Sequence, residues 1–144
     1  MIRKATTADV STIAQMACKL WPAHTPEEMQ EEMVPLISKT DAAFFLAFSD
    51  SLAIGFAQCQ LRYDYVEGTD SSPVGYLEGI FVAEEYRQQG IARQLLAACE
   101  DWARTQCCRY FASDCEIDNF QSLQFHLKAG FQEANRIICF SKNL

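Results

Sequence analysis

The chain has 144 residues, 49% of them hydrophobic, which is enough for one domain with a sizeable core. Its formal net charge of -7 argues against a nucleic-acid-binding protein, because phosphate backbones attract basic patches. No apolar run could span a bilayer and no apolar segment follows the charged N-terminus, so we expect neither a membrane protein nor a secretory signal.

The sequence contains 7 cysteines, an odd number and a high one for this length. No CxxC pair occurs and both histidines are remote from any such pair, so we expect no metal site. Reduced thiols used as small core residues are typical of a cytoplasmic protein.

The N-terminal third predicts a strand and two helices. Residues 2–5 form a short strand, and Thr7 caps a helix whose apolar positions recur every three or four residues up to Trp21. Thr25 begins a second helix, with proline at its first position and Glu28 closing a capping box.

The connection between these two helices contains Trp21 and His24. An aromatic ring and an imidazole in such a connection can line a pocket. The alternative is that Trp21 belongs to the core and His24 is solvated.

Three strands and a polar loop follow in the middle of the chain. Apolar residues over 43–49 and 53–63, separated by a turn at Asp50, predict an antiparallel hairpin. Residues 64–73 are polar and predict a mobile loop, after which residues 74–82 return as a strand antiparallel to the second.

The third of these strands carries one carboxylate, Glu78. Regular alternation assigns two faces, one with Glu78, Ile80 and Val82 and the other with Leu77, Gly79 and Phe81. Apolar neighbours would partly desolvate Glu78, which could then take a proton from an ammonium group, directly or through water. A solubility charge on an edge strand is the alternative.

The last third alternates helices with strands. We predict a helix over 90–104, a strand over 110–113, a helix from Asp118–Asn119 to Gly130, and strands over 131–134 and 137–141. The second of these helices should turn Phe120, Leu123 and Leu127 inward. The whole chain, residues 1–144, then forms one mixed α/β domain with helices on both faces of a mixed sheet.

Residues 87–92 connect the third strand to its helix. A helix N-terminus binds anions through free N–H groups and the positive end of its dipole, and glycine lets the backbone approach closely. A diphosphate would suit this turn, although an ordinary loop into a helix is the alternative. The residues concerned are Arg87, Gln88, Gln89, Gly90, Ile91 and Ala92, with Arg93 adding charge.

The strand–helix–strand segment 74–114 predicts two parallel strands. Ligands bind beyond the carboxyl ends of such strands, so residues 81–92 and 113–119 should border one crevice. Asp114 would lie there, either contacting a substrate ammonium or forming an ordinary Asx turn.

The pattern Arg-x-x-Gly-x-Ala between a strand and a helix resembles the acetyl-CoA-binding signature of the GCN5-related N-acetyltransferases (GNAT). The resemblance implies the GNAT fold, a mixed and mostly antiparallel sheet of about six to seven strands with about four helices on both faces. It also implies that the backbone of Ile80, Phe81 and Val82 pairs with the pantetheine arm, with the N–H of Val82 facing the thioester oxygen. Asn119 matches a cofactor-contacting asparagine.

His126 lies four residues before Gly130, where many members of this family carry a tyrosine that protonates the departing thiolate. The imidazole could do the same or hydrogen-bond the sulfur. A histidine packed within its helix is the alternative.

A narrower resemblance extends from the first helix to the C-terminal strand. Leu-Trp-Pro-Ala-His at 20–24, Tyr-Val-Glu-Gly-Thr-Asp-Ser-Ser-Pro-Val at 65–74 and Leu-Glu-Gly-Ile-Phe-Val at 77–82 are similar to the short bacterial aminoglycoside 6′-N-acetyltransferases. The residues matching that subgroup's aminoglycoside site are Trp21, His24, Tyr65, Glu78 and Asp114. The subgroup also uses a carboxylate after the last Gly-Phe, where this chain has Asn135, with Glu133 two residues earlier.

This resemblance implies an acetyl-CoA-dependent enzyme without a metal, which acetylates the 6′-amine of aminoglycosides by direct attack in a ternary complex and confers antibiotic resistance. It also implies a cytoplasmic homodimer formed through the C-terminal strands. The acidic charge agrees with a polycationic substrate. Acetylation of a polyamine or a protein N-terminal amine remains open, as does a non-catalytic acetyl-CoA-binding sensor.

Overall fold

Five strands form one sheet in the order β1-β2-β3-β4-β5. The computed structural model describes residues 1–144. Its strands are β1 (Ile2–Lys4), β2 (Ala42–Ser49), β3 (Leu52–Arg62), β4 (Val74–Val82) and β5 (Phe111–Ser113). The first four pair antiparallel in sequence order and β5 pairs parallel to β4. The pairings of β3 with β2, of β4 with β3 and of β5 with β4 are as predicted.

Four α-helices pack on the two faces of this sheet. They are α1 (Val10–Leu20), α2 (Pro26–Ile37), α3 (Ile91–Thr105) and α4 (Phe120–Lys128). The first two cover one face around Phe44 and Phe56, and α3 covers the other around Cys59 and Leu77, where Phe125 of α4 also packs. No helix combines the length and apolarity that crossing a lipid bilayer requires.

The predicted helix start is confirmed at α2 and wrong at α1. The Thr25 hydroxyl accepts from the Glu28 N–H at 3.2 Å, and the Glu28 carboxylate accepts from the Thr25 N–H at 3.2 Å. Before α1, Thr6 rather than Thr7 is the cap, because the Asp9 carboxylate accepts from the Thr6 N–H at 2.8 Å and closes a 3₁₀ turn.

The end of α4 is a glycine cap, as predicted. Gly130 has a φ of 98°, and the N–H of Phe131 donates to the His126 carbonyl at 3.0 Å. The predicted inward face is wrong for Phe120 and Leu127, whose side chains are exposed, whereas Leu123 is half-buried. Phe125 packs inward instead, and Phe120 lies about 140° around the helix from it.

The C-terminal segment contains neither of the two predicted strands. Residues 132–144 are exposed along their whole length, including Ile137, Ile138 and Phe140 at 68%, 79% and 90%. A strand persists only where a neighbour satisfies its backbone groups, and this segment does not pair with β5. The sheet therefore has five strands instead of six or seven.

One apolar residue anchors the polar loop between β3 and β4. Val66 is buried against Val74 and Tyr76, and the Thr69 hydroxyl donates to the Val66 carbonyl at 2.8 Å. This anchor fixes the course of the loop beside β4.

Candidate active site

The pairing between β3 and β4 contains a β-bulge at Glu78. Leu77 pairs with Cys59 and Gly79 pairs with Gln58, so Glu78 has no residue opposite it. The extra residue reverses the alternation of side chains along the strand. The alternation predicted for β4 is therefore wrong.

The bulge decides on which face of the sheet Glu78 lies. Leu77 packs in the core on the α3 side, whereas Phe81 packs in the core on the α1 side. Side chains alternate along β3 from Phe56 on the α1 side to Arg62, which contacts Glu78. Glu78 therefore lies on the α1 side, near the connection between α1 and α2.

Trp21 forms a wall beside this carboxylate. A Cβ atom at Gly79 would lie 2.6 Å from Cη2 of the indole, so only glycine fits beneath the ring. The ring also packs edge-on against Phe56, with centroids 6.4 Å apart, and is thus both core and wall. His24 is exposed, with Nδ1 3.3 Å from a carboxylate oxygen of Glu28, as in its solvated alternative.

Arg62 contacts Glu78 and Tyr76 and forms with them and Asp114 a cluster of four side chains. Its Nη2 lies 3.0 and 3.1 Å from the two carboxylate oxygens of Glu78, and its Nε lies 3.2 Å from one of them. The guanidinium carbon lies 3.4 Å from the ring centroid of Tyr76, whose hydroxyl donates to Asp114. One cation and one phenol thus link the two carboxylates that we predicted for the substrate ammonium.

The cluster shifts the pKa of two of its members. Burial alone would lower the pKa of Arg62, but the hydrogen bonds and charge of Glu78 outweigh it and the pKa is raised. Burial raises the pKa of the Tyr76 phenol well above its usual value, and the hydrogen bond to Asp114 raises it further. Arg62 therefore stays a cation and Tyr76 stays a hydrogen-bond donor around neutral pH.

The edge of β4 that faces β5 is free over residues 78–82. The strand β5 pairs only with residues 75–77, and no other strand takes its place. The N–H of Ala83 donates to the Ile54 carbonyl on β3 at 2.8 Å, so the backbone groups of the preceding Val82 point to the free edge. An extended amide-containing arm could add there as a strand.

The turn after β4 has the geometry of an anion site. Gln88 and Gly90 adopt the left-handed conformation, with φ of 60° and 80°. The first helical hydrogen bond joins the Gln94 N–H to the Gly90 carbonyl at 3.1 Å, which leaves the N–H groups of residues 91–93 without helical partners. The turn therefore fits the diphosphate predicted for it.

Both arginines of this turn have protein partners. Nε of Arg87 donates to the Val82 carbonyl at 2.9 Å and folds the turn back onto β4. The Arg93 guanidinium donates to the Lys128 carbonyl and connects the start of α3 to the end of α4. The two guanidinium groups are thus held beside the turn by backbone carbonyls, and from there their positive charge can attract a bound anion.

His126 contacts two serines through its two ring nitrogens. Nδ1 lies 2.7 Å from the backbone carbonyl of Ser122, and Nε2 lies 2.8 Å from Oγ of Ser113 at the end of β5. Asn119 begins α4, and its side-chain oxygen accepts from the Ser122 N–H at 3.1 Å. Ser113 was expected at the border of the crevice but had no predicted role, and its place just before Asp114 was the available signal.

The remaining predicted substrate residues lie at the periphery. Tyr65 is 75% exposed. A Cβ atom at Gly68 would lie 2.8 Å from Cβ of Ala134, which brings Glu133 and Asn135 close to the same loop. A hydrogen bond from the neighbouring Arg136 lowers the pKa of Glu133.

Arg62 and Tyr76 are the other residues that the sequence analysis missed. Arg62 lies on the neighbouring strand β3, and Tyr76 lies on β4 two positions before Glu78, a spacing that predicts a shared face. No group of His, Cys, Asp and Glu side chains is arranged to hold a metal ion.

Comparisons with known proteins agree with this architecture. The Acetyltransferase (GNAT) family profile matches residues 10–131. An aminoglycoside N(6′)-acetyltransferase type 1 from Stenotrophomonas maltophilia is 41% identical over 140 residues, covering 96% of this chain and 90% of that protein.

Two solved structures have similar folds. AAC(6′)-Iy in complex with the bisubstrate analogue CoA-S-monomethyl-acetylneamine has a TM-score of 0.95 and 38% identity, covering 100% of this chain and 98% of that one. The 6′-N-acetyltransferase AAC(6′)-Ih from Acinetobacter baumannii has a TM-score of 0.93 and 39% identity, covering 100% and 98%. The resemblance inferred from the sequence is confirmed, and the chain belongs to the acetyltransferase (GNAT) family.

Proposed function

We propose that this chain, as one catalytic domain over residues 1–144, transfers the acetyl group of acetyl-CoA to the 6′-amine of an aminoglycoside. The main observation in support is that the free edge of β4 runs from the turn at residues 87–92 to Glu78, the carboxylate at the β-bulge. The similar proteins support the substrate class, since they are named aminoglycoside N(6′)-acetyltransferases and one was solved with a CoA–neamine analogue.

Acetyl-CoA would lie along β4. The N–H groups at residues 88–93 would bind its pyrophosphate, whereas the N–H of Arg87 already donates to the Glu84 carbonyl at 3.2 Å. The backbone of Ile80, Phe81 and Val82 would pair with the pantetheine arm. The N–H of Val82, which points to the free edge, would stabilise the oxyanion that forms on the thioester oxygen. Asn119, which caps α4, would border the same crevice.

The amine would enter on the α1 side of the sheet. Its ammonium is attracted by Glu78 and Asp114, and the indole of Trp21 provides an apolar wall. Glu78 takes the proton from the ammonium, because only the free lone pair can attack the thioester carbon. The nitrogen then forms the new C–N bond directly and loses its second proton to solvent through Glu78, and the C–S bond breaks with its electron pair on sulfur.

The outer parts of the aminoglycoside would contact four residues at the rim of the site. Tyr65 and His24 are exposed near this face, and Glu133 and Asn135 lie beside the loop that carries Tyr65. Asn135 replaces a carboxylate used by similar enzymes, so substrate charge at this end would be met by Glu133.

The decisive experiment is acetyl-CoA turnover with tobramycin, spermidine and a peptide, followed by NMR assignment of the acetylated nitrogen. We expect turnover with tobramycin and acetylation at N6′. Preference for spermidine or the peptide would support a different amine acetyltransferase. CoA binding without turnover on any amine would indicate a non-catalytic sensor.

We further propose a cytoplasmic homodimer that confers aminoglycoside resistance. The exposed apolar residues Ile137, Ile138 and Phe140 favour coverage by a second copy, whose strands could satisfy the backbone of this segment. Expression in an aminoglycoside-sensitive bacterium tests the resistance, with the growth-inhibiting drug concentration as the readout.

A further inference from the structure

Ser113 and His126 form a hydroxyl–imidazole pair at the point where β4 and β5 separate. We propose that the Ser113 hydroxyl is a catalytic residue that contacts the thioester sulfur and donates the proton taken up by the departing CoA thiolate, with His126 behind it. The inference rests on the proposed acetyl transfer, and it identifies the group that protonates the thiolate when the C–S bond breaks.

The hydrogen bonds determine which nitrogen of His126 carries the proton in the neutral ring. The backbone carbonyl of Ser122 can only accept, so Nδ1, at 2.7 Å, must donate to it. Nε2 is then the acceptor and receives the hydrogen of Ser113 Oγ at 2.8 Å. When the ring is protonated, Nε2 donates to Oγ, and the hydroxyl hydrogen of Ser113 is free to turn to another acceptor.

The surroundings of His126 keep the ring in this orientation. Its centroid lies 5.1 Å from that of Phe131 and 5.7 Å from that of Phe125, in tilted and edge-on arrangements. The Ser122 carbonyl accepts from Nδ1 in both protonation states of the ring. A proton donor held this way loses little orientational freedom during the reaction.

The topology brings the sulfur to Ser113. Ser113 pairs with Leu77, the last paired position of β5, so it lies at the vertex of the gap that opens along residues 78–82. A pantetheine arm anchored by its pyrophosphate at residues 87–92 and paired along that gap ends at this vertex. Glu78 is the next residue of β4, so base and acid lie at the same end of the arm.

The proton balance is complete without another reactant. Glu78 takes one proton from the ammonium and releases it to solvent, and the amine nitrogen then forms the C–N bond. The nitrogen is cationic again after this step and loses its second proton to Glu78, while the C–S bond breaks with its electron pair on sulfur. Sulfur takes the hydrogen of Ser113 Oγ, and Oγ takes the Nε2 proton of the His126 imidazolium. The imidazole regains a proton from solvent and Glu78 releases the second amine proton, so acetyl transfer releases one proton overall.

Single-turnover acetyl transfer by the full chain tests this assignment. Ser113→Ala should lower the rate about 100-fold, the size expected for loss of a positioned proton donor, while the CoA dissociation constant from calorimetry stays unchanged. Ser113→Thr, which keeps the hydroxyl and suits a strand, should restore most of the rate. His126→Asn, which keeps a donor near the Ser122 carbonyl but loses Nε2, should resemble Ser113→Ala.

Ser38→Ala is the matched control. This serine is exposed at the end of α2 and contacts no residue of the site, so the rate should stay near wild type. Ser113→Ala combined with His126→Asn should be no slower than the slower single variant, because both act in one relay. The assignment is wrong if Ser113→Ala keeps the wild-type rate or if the control variant slows acetyl transfer as much as Ser113→Ala does. It is also wrong if Ser113→Ala raises the CoA dissociation constant and leaves the single-turnover rate unchanged. A wild-type protein that acetylates no amine would refute the proposed function itself.

Discussion

From the end of the neighbouring strand, Nε and Nη2 of Arg62 donate to the two carboxylate oxygens of Glu78, at 3.2 and 3.0 Å. Two parallel hydrogen bonds from a planar guanidinium fix the orientation of a carboxylate, which a single lysine contact would not. The ion pair is therefore a positioning device for the residue that we propose as the base.

Arg62→Met should lower kcat/KM for the amine about 10-fold or more, mainly through kcat, because a misplaced base loses its near-attack geometry. Thermal denaturation should change little, since the Arg62 side chain is 42% exposed. Arg104→Met is the control, because this arginine also pairs with carboxylates but lies on α3 away from the site. Equal activity of the two variants would contradict the positioning role.

Glu78→Gln removes the carboxylate and keeps its shape. We expect kcat/KM for the amine to fall by about 100-fold or more, the range for loss of a general base. Steady-state kinetics from pH 6 to 9 provide the measurement. Because the free amine needs no base at alkaline pH, the difference in kcat/KM between wild type and Glu78→Gln should become smaller as the pH rises. Wild-type kcat/KM at every pH would show that Glu78 is not the base.

Tyr76→Phe removes the hydroxyl that donates to Asp114. Because the pKa of Tyr76 is raised in the folded state, the folded protein retains this proton where the unfolded chain, with a usual pKa of about 10, loses it. Stability should therefore fall as pH rises above about 10 in the wild type, and this fall should be smaller in the variant. Urea denaturation at pH 8 and pH 11 measures it.

The tyrosinate absorbance near 295 nm checks the same residue independently. The difference between wild type and Tyr76→Phe should show no ionising phenol up to about pH 11. Tyr63→Phe, at an exposed tyrosine near the site, is the spectral comparison. A phenol signal at pH 10 that disappears in Tyr76→Phe would contradict the raised pKa.

Gly79→Ala should move Trp21 away from Glu78. The added methyl group would lie 2.6 Å from the indole, so the ring must shift, with a loss of about 1–3 kcal/mol in the free energy of unfolding. We expect KM for the amine to rise more than KM for acetyl-CoA, because the indole lines only the α1 side of the sheet, where the amine would bind. Combining Gly79→Ala with Trp21→Ala should recover stability relative to the sum of the single variants, and additive losses would refute the contact.

Ile138→Asp tests the proposed dimer. A charge on a side chain that is 79% exposed in the monomer should not affect monomer folding but should disfavour burial in an interface. Analytical ultracentrifugation at micromolar concentration should show a shift from dimer to monomer. Val34→Asp, at another exposed apolar residue, should leave the mass unchanged. A monomeric wild type would exclude the dimer.

The sequence by itself determined the features that rest on contiguous residues. The turn at 87–92, the capping box at Thr25 and the glycine cap at Gly130 depend on local backbone geometry and hydrogen bonds between near neighbours. The order of the elements and the parallel pairing of β5 followed from hydrophobic periodicity in the same way. These interactions are encoded within a few residues, so a pattern reveals them.

The tertiary structure decided what depends on distant segments. The bulge at Glu78 arises from the pairing register of β4 with β3, and no local sequence pattern in β4 predicts it. The contacts of Arg62 with Glu78, and of Ser113 with His126, cross between separate elements. Strand formation in residues 131–144 requires a pairing partner that these residues do not find within the chain, since hydrogen bonds between strands are satisfied by whichever segment lies alongside.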